Sequence, residues 1–296
     1  MKYKYKSFLC LFLACMLLVL TACGSGDGDT TASDESPYGT TRYSGGVYAD
    51  GTDAPETYAQ QSNLISVTVP EGYTLVRISW LLEEKGICTS DAFIEAAQNY
   101  DLSSNPLLSD VRAAENVCFP LEGYLFPATY EFEKNTEPKA VIDEMVAAFA
   151  ARITDSMKAK AQSMGYSIHE ILTMASIIEK EAYTAEQRTL IASTLYNRLD
   201  DGMKLQCDVT VKYCTGVIEL QYPDQIDHYK YYYNTYRCGG LPAGPICNPG
   251  LSSINAALNP DDTDYLYFVI DTEPPYESRF AATYEEHQKN CEEMGY

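Results

Sequence analysis

Positive charge, histidine and tryptophan are scarce in this 296-residue chain: 21 Lys and Arg stand against 42 Asp and Glu, with three histidines and one tryptophan. A net charge of −21 argues against recognition of nucleic acid, or of anionic lipid head groups, through a basic patch. His169, His228 and His287 lie outside any HExxH context, and there is no Gly-x-Ser-x-Gly elbow, so a zinc peptidase or a serine triad has no support. A glycine-rich phosphate loop is missing, no lysine stands out for a Schiff base with pyridoxal phosphate, and no internal repeat is found. Neither the gap from Cys207 to Cys214 nor that from Cys238 to Cys247 has the spacing of a zinc knuckle. Neither a metal nor a cofactor is expected.

A long apolar run is lacking as well. Phe8 to Leu20 falls short of the roughly 20 residues that span a bilayer. With Lys2, Lys4 and Lys6 ahead of it and Leu20-Thr21-Ala22-Cys23 behind, it reads as a secretory signal over residues 1–22. The LTAC pattern resembles a bacterial lipobox, in which Cys23 is lipidated and becomes the new N-terminus; a plain transmembrane anchor is the alternative. Loss of residues 1–22 removes three lysines and no acids and leaves the exported part at −24. Residues 23–62 are rich in Gly, Ser, Thr, Asp and Tyr with almost no aliphatic side chain to bury, and are expected to be a disordered acidic tether. The expected location is the outer face of the cell membrane, with the folded part held by lipid. Of ten cysteines, Cys10 and Cys15 leave with the signal and Cys23 takes the lipid. The remaining seven are an odd number, so at least one thiol stays unpaired within the monomer, and the pairing of the rest is open.

Order is expected to begin at the alternating Leu64-Ile65-Ser66-Val67-Thr68-Val69, closed by Pro70-Glu71-Gly72. Thr74 then precedes an amphipathic stretch through Leu82, Ser90 opens another helix, and a second strand follows at Asn116-Val117-Cys118-Phe119. Strand, helix, helix and strand make a small α+β module over residues 63–120. Beyond it, over residues 121–296, LEGYLFPATYEF reads as aromatic strand and turn, and Pro138 to Ala161 as one long helix. Ser167 with Glu170 is a capping-box signature, and Thr184 starts a further helix that Gly202 stops. Leu205 to Tyr213 reads as extended, Ser252 to Leu258 as a short helix, and Tyr265 to Ile270 as a strand. The fold class is α+β, with a small module followed by a larger mixed domain.

The helix from Ser167 ends in MASIIEKEA, Met174 to Ala182, where an apolar run suddenly offers Glu179 and Glu181. At 100° per residue Glu179 falls on the stripe of Ile168, Ile171, Leu172, Ala175 and Ile178, whereas Glu181 lies about 200° round, near Met174 and Ile177. Both carboxyls therefore have apolar neighbours. In one reading Glu179 pairs with a buried donor and Glu181 with Arg188 or Arg198. In the other, a carboxylic acid in an apolar cleft is held protonated until it can serve as a proton donor near neutral pH. Periodicity leaves the two glutamates equal. Glycosidic bond cleavage needs little more than positioned carboxyls and a groove of aromatic and hydrogen-bonding side chains, which Tyr124, Tyr130, Tyr213, Tyr233, Tyr236, Gln206, Asp208 and Asn234 could supply.

MASIIEKEA, TLYNRLDDGMKLQCDVTVKY, YYNTYRCGGLPAGPICNPG and AALNPDDTDYLYFV resemble, in order, the bacterial endolytic murein transglycosylases of the MltG (YceG-like) family. LEGYLFPATYEF is similar to that family's EGWLFPDTY segment, and Leu64 to Ala97 resembles its LysM-like module. The resemblance implies non-hydrolytic cleavage between N-acetylmuramic acid and N-acetylglucosamine, leaving a 1,6-anhydro-muramic end. It implies that Glu181 is the acid and base, that Glu179 supports it, and that Glu122, Gln206, Asp208, Asn234 and Tyr236 bind substrate. The implied partners are peptidoglycan strands and peptidoglycan synthases. A non-catalytic peptidoglycan-binding lipoprotein is the alternative; a pyridoxal-phosphate lyase is opposed by the export signal. The cysteines around Gln206 and in the YNTY loop are not part of the family's motif.

Overall fold

Alternation in Leu64–Thr68 produces a strand, β1, whose Val67 points into the core. Helix α1 (Leu75–Glu84) starts where the Thr74 hydroxyl accepts from the amide of Arg77, and it buries Leu75, Val76, Ile78 and Leu82. Helix α2 (Ser90–Gln98) is capped by Thr89 in the same way, and a short α3 (Ser109–Ala113) follows. Strand β2 (Thr129–Glu133) returns antiparallel to β1, with Leu64 opposite Glu133 and Thr68 opposite Thr129. The structure, a computed structural model, describes residues 63–296. The expected signal, Cys23 and the acidic tether lie outside the described residues.

The second strand of this βααβ layer is thus not at Asn116–Phe119, where the chain bends and the amide of Cys118 binds the Tyr233 hydroxyl instead of a neighbouring strand. Thr129–Glu133 takes its place because its alternation is complete: Tyr130 and Phe132 are buried while Thr129, Glu131 and Glu133 are exposed. The ladder therefore runs past residue 120, and all the described residues fall within one compact unit.

Two more expectations need correction. The helix expected over 138–161 is two helices, α4 (Pro138–Arg152) and α5 (Asp155–Met164). Ile153 turns to extended backbone, and Thr154 caps the new start by accepting from the amide of Met157. The extended run expected over 205–213 ends at Cys207, and helix α8 (Asp208–Tyr213) follows. Its β-branched Val209, Thr210 and Val211 favour strand in isolation, but Thr210 turns its hydroxyl back onto the Cys207 carbonyl and is buried.

Helix α6 (Ile168–Glu181) begins at the capping box that Ser167 and Glu170 form, and every residue from Ile171 to Ile178 is buried. Helix α7 (Ala185–Asp200) has a second capping box, from Thr184 and Gln187. After α8 the helix widens into a π turn, Cys214–Ile218, and runs into α9 (Glu219–Gln221). Helices α10 (Ile226–Tyr233) and α11 (Leu251–Leu258) follow, and α11 packs on α6 and α7. A hairpin of β3 (Tyr267–Ile270) and β4 (Ser278–Ala281), backed by α12 (Tyr284–Met294), completes the fold. The fold is α+β, with α6 as its central element. All seven cysteines among the described residues are free thiols. Among the described residues, no helix is long and apolar enough to cross a membrane.

Candidate active site

Glu181 is the last residue of α6, where the chain leaves the core. Its carboxyl opens onto a cleft of about 370 Å³ lined also by Arg198, Gln206, Asp208, Tyr236, Tyr267 and His287. Among the described residues it has no ion pair and no side-chain hydrogen bond. Burial first and the nearby Asp208 carboxylate second push its pKa up to about 7, against a smaller opposing pull from Lys212. The negative end of the α6 dipole acts in the same direction as Asp208. An acid that gives and regains a proton near neutrality is the result.

A single buried threonine assembles the opposite wall. Thr235, fully buried, accepts at its hydroxyl from the amide of Cys207 at 2.9 Å, and its carbonyl accepts from the amide of Gln206 at 3.2 Å. Gln206 is thereby held at φ 51°, a left-handed conformation costly for a side chain of its size, at the rim of the cleft. The same stitching brings the Tyr236 hydroxyl within 2.6 Å of the Asp208 carboxylate, to which it donates. That bond, ahead of burial, raises the Tyr236 pKa to about 12 and keeps the phenol protonated. Asn234 is not a cleft residue; its side-chain oxygen accepts from the amide of Tyr236 and shapes the loop that presents that ring.

Glu122, expected to bind substrate, does not line this cleft. Only 1% exposed, it accepts from the amide of Leu75, the Asn248 side chain and the Tyr213 hydroxyl. Gly123 turns the chain inward at φ 88°, where a Cβ would stand 2.6 Å from Pro245. Burial raises the Glu122 pKa to about 8, its three hydrogen-bond donors opposing. Glu179 is likewise off the cleft, accepting from Ser253 at 2.6 Å and from the Gly250 amide at 3.2 Å at the start of α11. Arg188 donates to Ser253, not to Glu181.

The third wall comes from Arg198 of α7 together with the hairpin and α12, whose Tyr267, Tyr284 and His287 were not among the expected site residues. Arg198, 8% exposed, donates to the backbone carbonyls of Leu205 and Leu266 and lies over the Tyr267 ring at 5.3 Å. His287 stacks on Tyr267, with ring centroids 5.3 Å apart. The hairpin is positioned against Glu181 through Gln187: its side-chain oxygen accepts from the amides of Tyr183 and Thr184, and its nitrogen donates to the Tyr276 carbonyl at 2.8 Å. Tyr183 and Tyr276 stack face to face at 4.7 Å. The aromatic content of AALNPDDTDYLYFV was the available signal for Tyr267; the polar YEEHQKNCEEM of α12 carries none for His287.

Residues 49–293 match the YceG-like family. The chain is 34% identical over 260 residues, 82% of its length, to the endolytic murein transglycosylase of Streptococcus pneumoniae serotype 2 strain D39, and covers 46% of that protein. It is 42% identical over 181 residues, 59% of its length, to the endolytic murein transglycosylase of Bacillus subtilis strain 168, covering 48% of it. It thus spans about half the length of the curated relatives it matches. The crystal structure of a yceG-like protein from Listeria monocytogenes superposes with a TM-score of 0.68 at 36% identity, covering 76% of this chain and 75% of that one.

Proposed function

The chain belongs to the YceG-like family, and on that premise we propose that it is an endolytic peptidoglycan lytic transglycosylase. It cuts the bond between N-acetylmuramic acid and N-acetylglucosamine without water. The observation that carries this reading is one carboxyl, Glu181, without a hydrogen-bond or ion-pair partner among the described residues and held near neutral pKa in an open cleft with aromatic and hydrogen-bonding walls. Protonated Glu181 donates to the departing glycosidic oxygen. The resulting carboxylate takes the proton from the muramic C6 hydroxyl as that oxygen closes on C1, giving the 1,6-anhydro product. The nucleophile belongs to the substrate, so the paired carboxylates of hydrolytic glycosidases are not needed. Tyr236, Asp208 and Gln206 offer hydrogen-bonding groups to the sugar, and Glu179 fixes the end of α6 by its bonds to α11.

The βααβ layer of β1, α1, α2 and β2 is proposed as a LysM-like grip on the glycan, and the segment from Leu121 onward, β2 apart, as the catalytic part. Lipidation at Cys23 would hold the protein at the outer face of the cell membrane, with the glycan strand as partner and a peptidoglycan synthase beside it. Glu181→Gln is expected to keep the fold and to lower release of 1,6-anhydro-muropeptides from purified peptidoglycan by about 10²–10⁴-fold. Analysis of products by mass decides it: full activity in the variant, or reducing ends from the wild type, rejects the lyase mechanism.

A further inference from the structure

On the other side of the ridge formed by the end of α6 and the first turn of α8 lies a second groove, of about 330 Å³. Lys180 and Val209, which line it, are the chain neighbours of Glu181 and Asp208, which line the catalytic cleft. The second groove is walled by α1 on one side and by α8 and the π turn on the other. Its character is opposite to that of the molecule as a whole. In a chain of net charge −21, Arg77, Lys180 and Lys212 converge on it, and none of the three is ion-paired with a described residue. Arg77 lies over the Tyr73 ring at 4.8 Å, and Lys180 reaches only the Gly72 carbonyl, at 3.4 Å, so both cationic heads keep donors to spare. Trp80, the chain's single tryptophan, lines this groove 46% exposed. An aromatic face among three cations without an ion-pair partner among the described residues fits a ligand that brings carboxylates on a partly apolar frame.

We propose that this groove is an anion-binding subsite that takes the carboxylate-bearing peptide carried by a glycan strand lying in the neighbouring cleft. The proposal rests on the reading of that cleft as a glycan-cutting site. Its adjacency to Glu181 is what makes the peptide of the same strand the favoured occupant: the peptide attaches to the muramic residue that is cut. Lys212 stands at the junction, since its charge is felt by Glu181 while its side chain lines the groove. Substrates with their peptide in place would therefore be held in register by the groove.

Trp80 supplies a direct probe, because tryptophan emission from the full-length protein can come from nowhere else. Titration with the stem peptide L-alanyl-γ-D-glutamyl-L-lysine is expected to change that emission saturably. Arg77→Gln and Lys180→Gln are each expected to weaken binding about tenfold, the loss of one charge-assisted contact. In parallel, the KM for peptide-bearing glycan rises in Lys180→Gln while kcat and the KM for peptide-stripped glycan stay unchanged. No emission change with peptide, an equal change with peptide-stripped glycan, or binding indifferent to both substitutions overturns the proposal. So does peptide binding that appears only when the acids of residues 24–62 are neutralised, which would give the groove to the chain's own acidic segment. Saturable peptide binding that the variants weaken, in a protein that releases no anhydro product, would support the groove and reject the reading of the cleft.

Discussion

Glu181 sits between a carboxylate that raises its pKa and an ammonium that lowers it, and this fixes the direction of two pH shifts. The reaction starts from the protonated acid, so kcat/KM falls as pH rises through about 7. Asp208→Asn removes the like charge, lowers the pKa and moves that falling limb to lower pH. Lys212→Gln removes the opposing cation and moves it to higher pH. Rate profiles of the two variants are expected to bracket the wild type; shifts in the same direction would contradict the assignment of Glu181 as the acid. The sequence could bring both glutamates of MASIIEKEA to apolar surroundings but could not separate them by periodicity. What separates them is what each faces: α11 satisfies Glu179, whereas nothing among the described residues binds the Glu181 carboxyl.

Between elements the controlling joint is Glu122, which ties the first residue of α1 to α8 and to Asn248. Its pKa is raised from 4.5 to about 8 in the fold, so the folded state holds a proton that the unfolded chain has released. The stabilisation is full below pH 4.5 and is lost as pH rises through about 8. Glu122→Gln keeps both acceptor bonds at one oxygen and donates to Tyr213 from its amide, so its denaturant midpoint is expected to fall less steeply over this pH range than that of the wild type. Glu122→Ala leaves the Leu75 amide without its side-chain partner and is expected to cost about 1–3 kcal/mol. The helix starts at Thr74, Ser167 and Thr184 were readable because caps are local chemistry. The break at Ile153, the helix at Asp208 and the pairing of β2 with β1 were not, because burial and pairing across the chain decided them.

At the scale of the molecule, the cleft closes only because the C-terminal hairpin and α12 return to a site whose acid lies about a hundred residues earlier. Tyr284 and His287 form that wall, with His287 packed on the Tyr267 ring. Tyr284→Ala and His287→Ala are each expected to raise the KM for glycan several-fold, with kcat changed much less, since neither is required to move a proton. Steady-state kinetics on peptide-stripped strands measure this without contribution from the second groove. The family motifs exposed one half of the cleft in the sequence. The other half is built by packing of a polar helix with no signature of its own.

The seven free thiols among the described residues are unequally placed: Cys118, Cys207, Cys214, Cys238 and Cys247 are buried, and Cys88 and Cys291 are half-buried. Burial suppresses the thiolate at Cys207 and Cys247, and raises the Cys88 pKa to about 11. A pulse of alkylating reagent at mild pH is therefore expected to spare the five buried sites while the native packing holds, and to mark them when it opens. Peptide mapping after such a pulse would date the opening of each region separately, Cys207 for the floor of the cleft and Cys118 for the seam beside the βααβ layer. The molecule thus carries an internal set of clocks for the order in which its parts come undone.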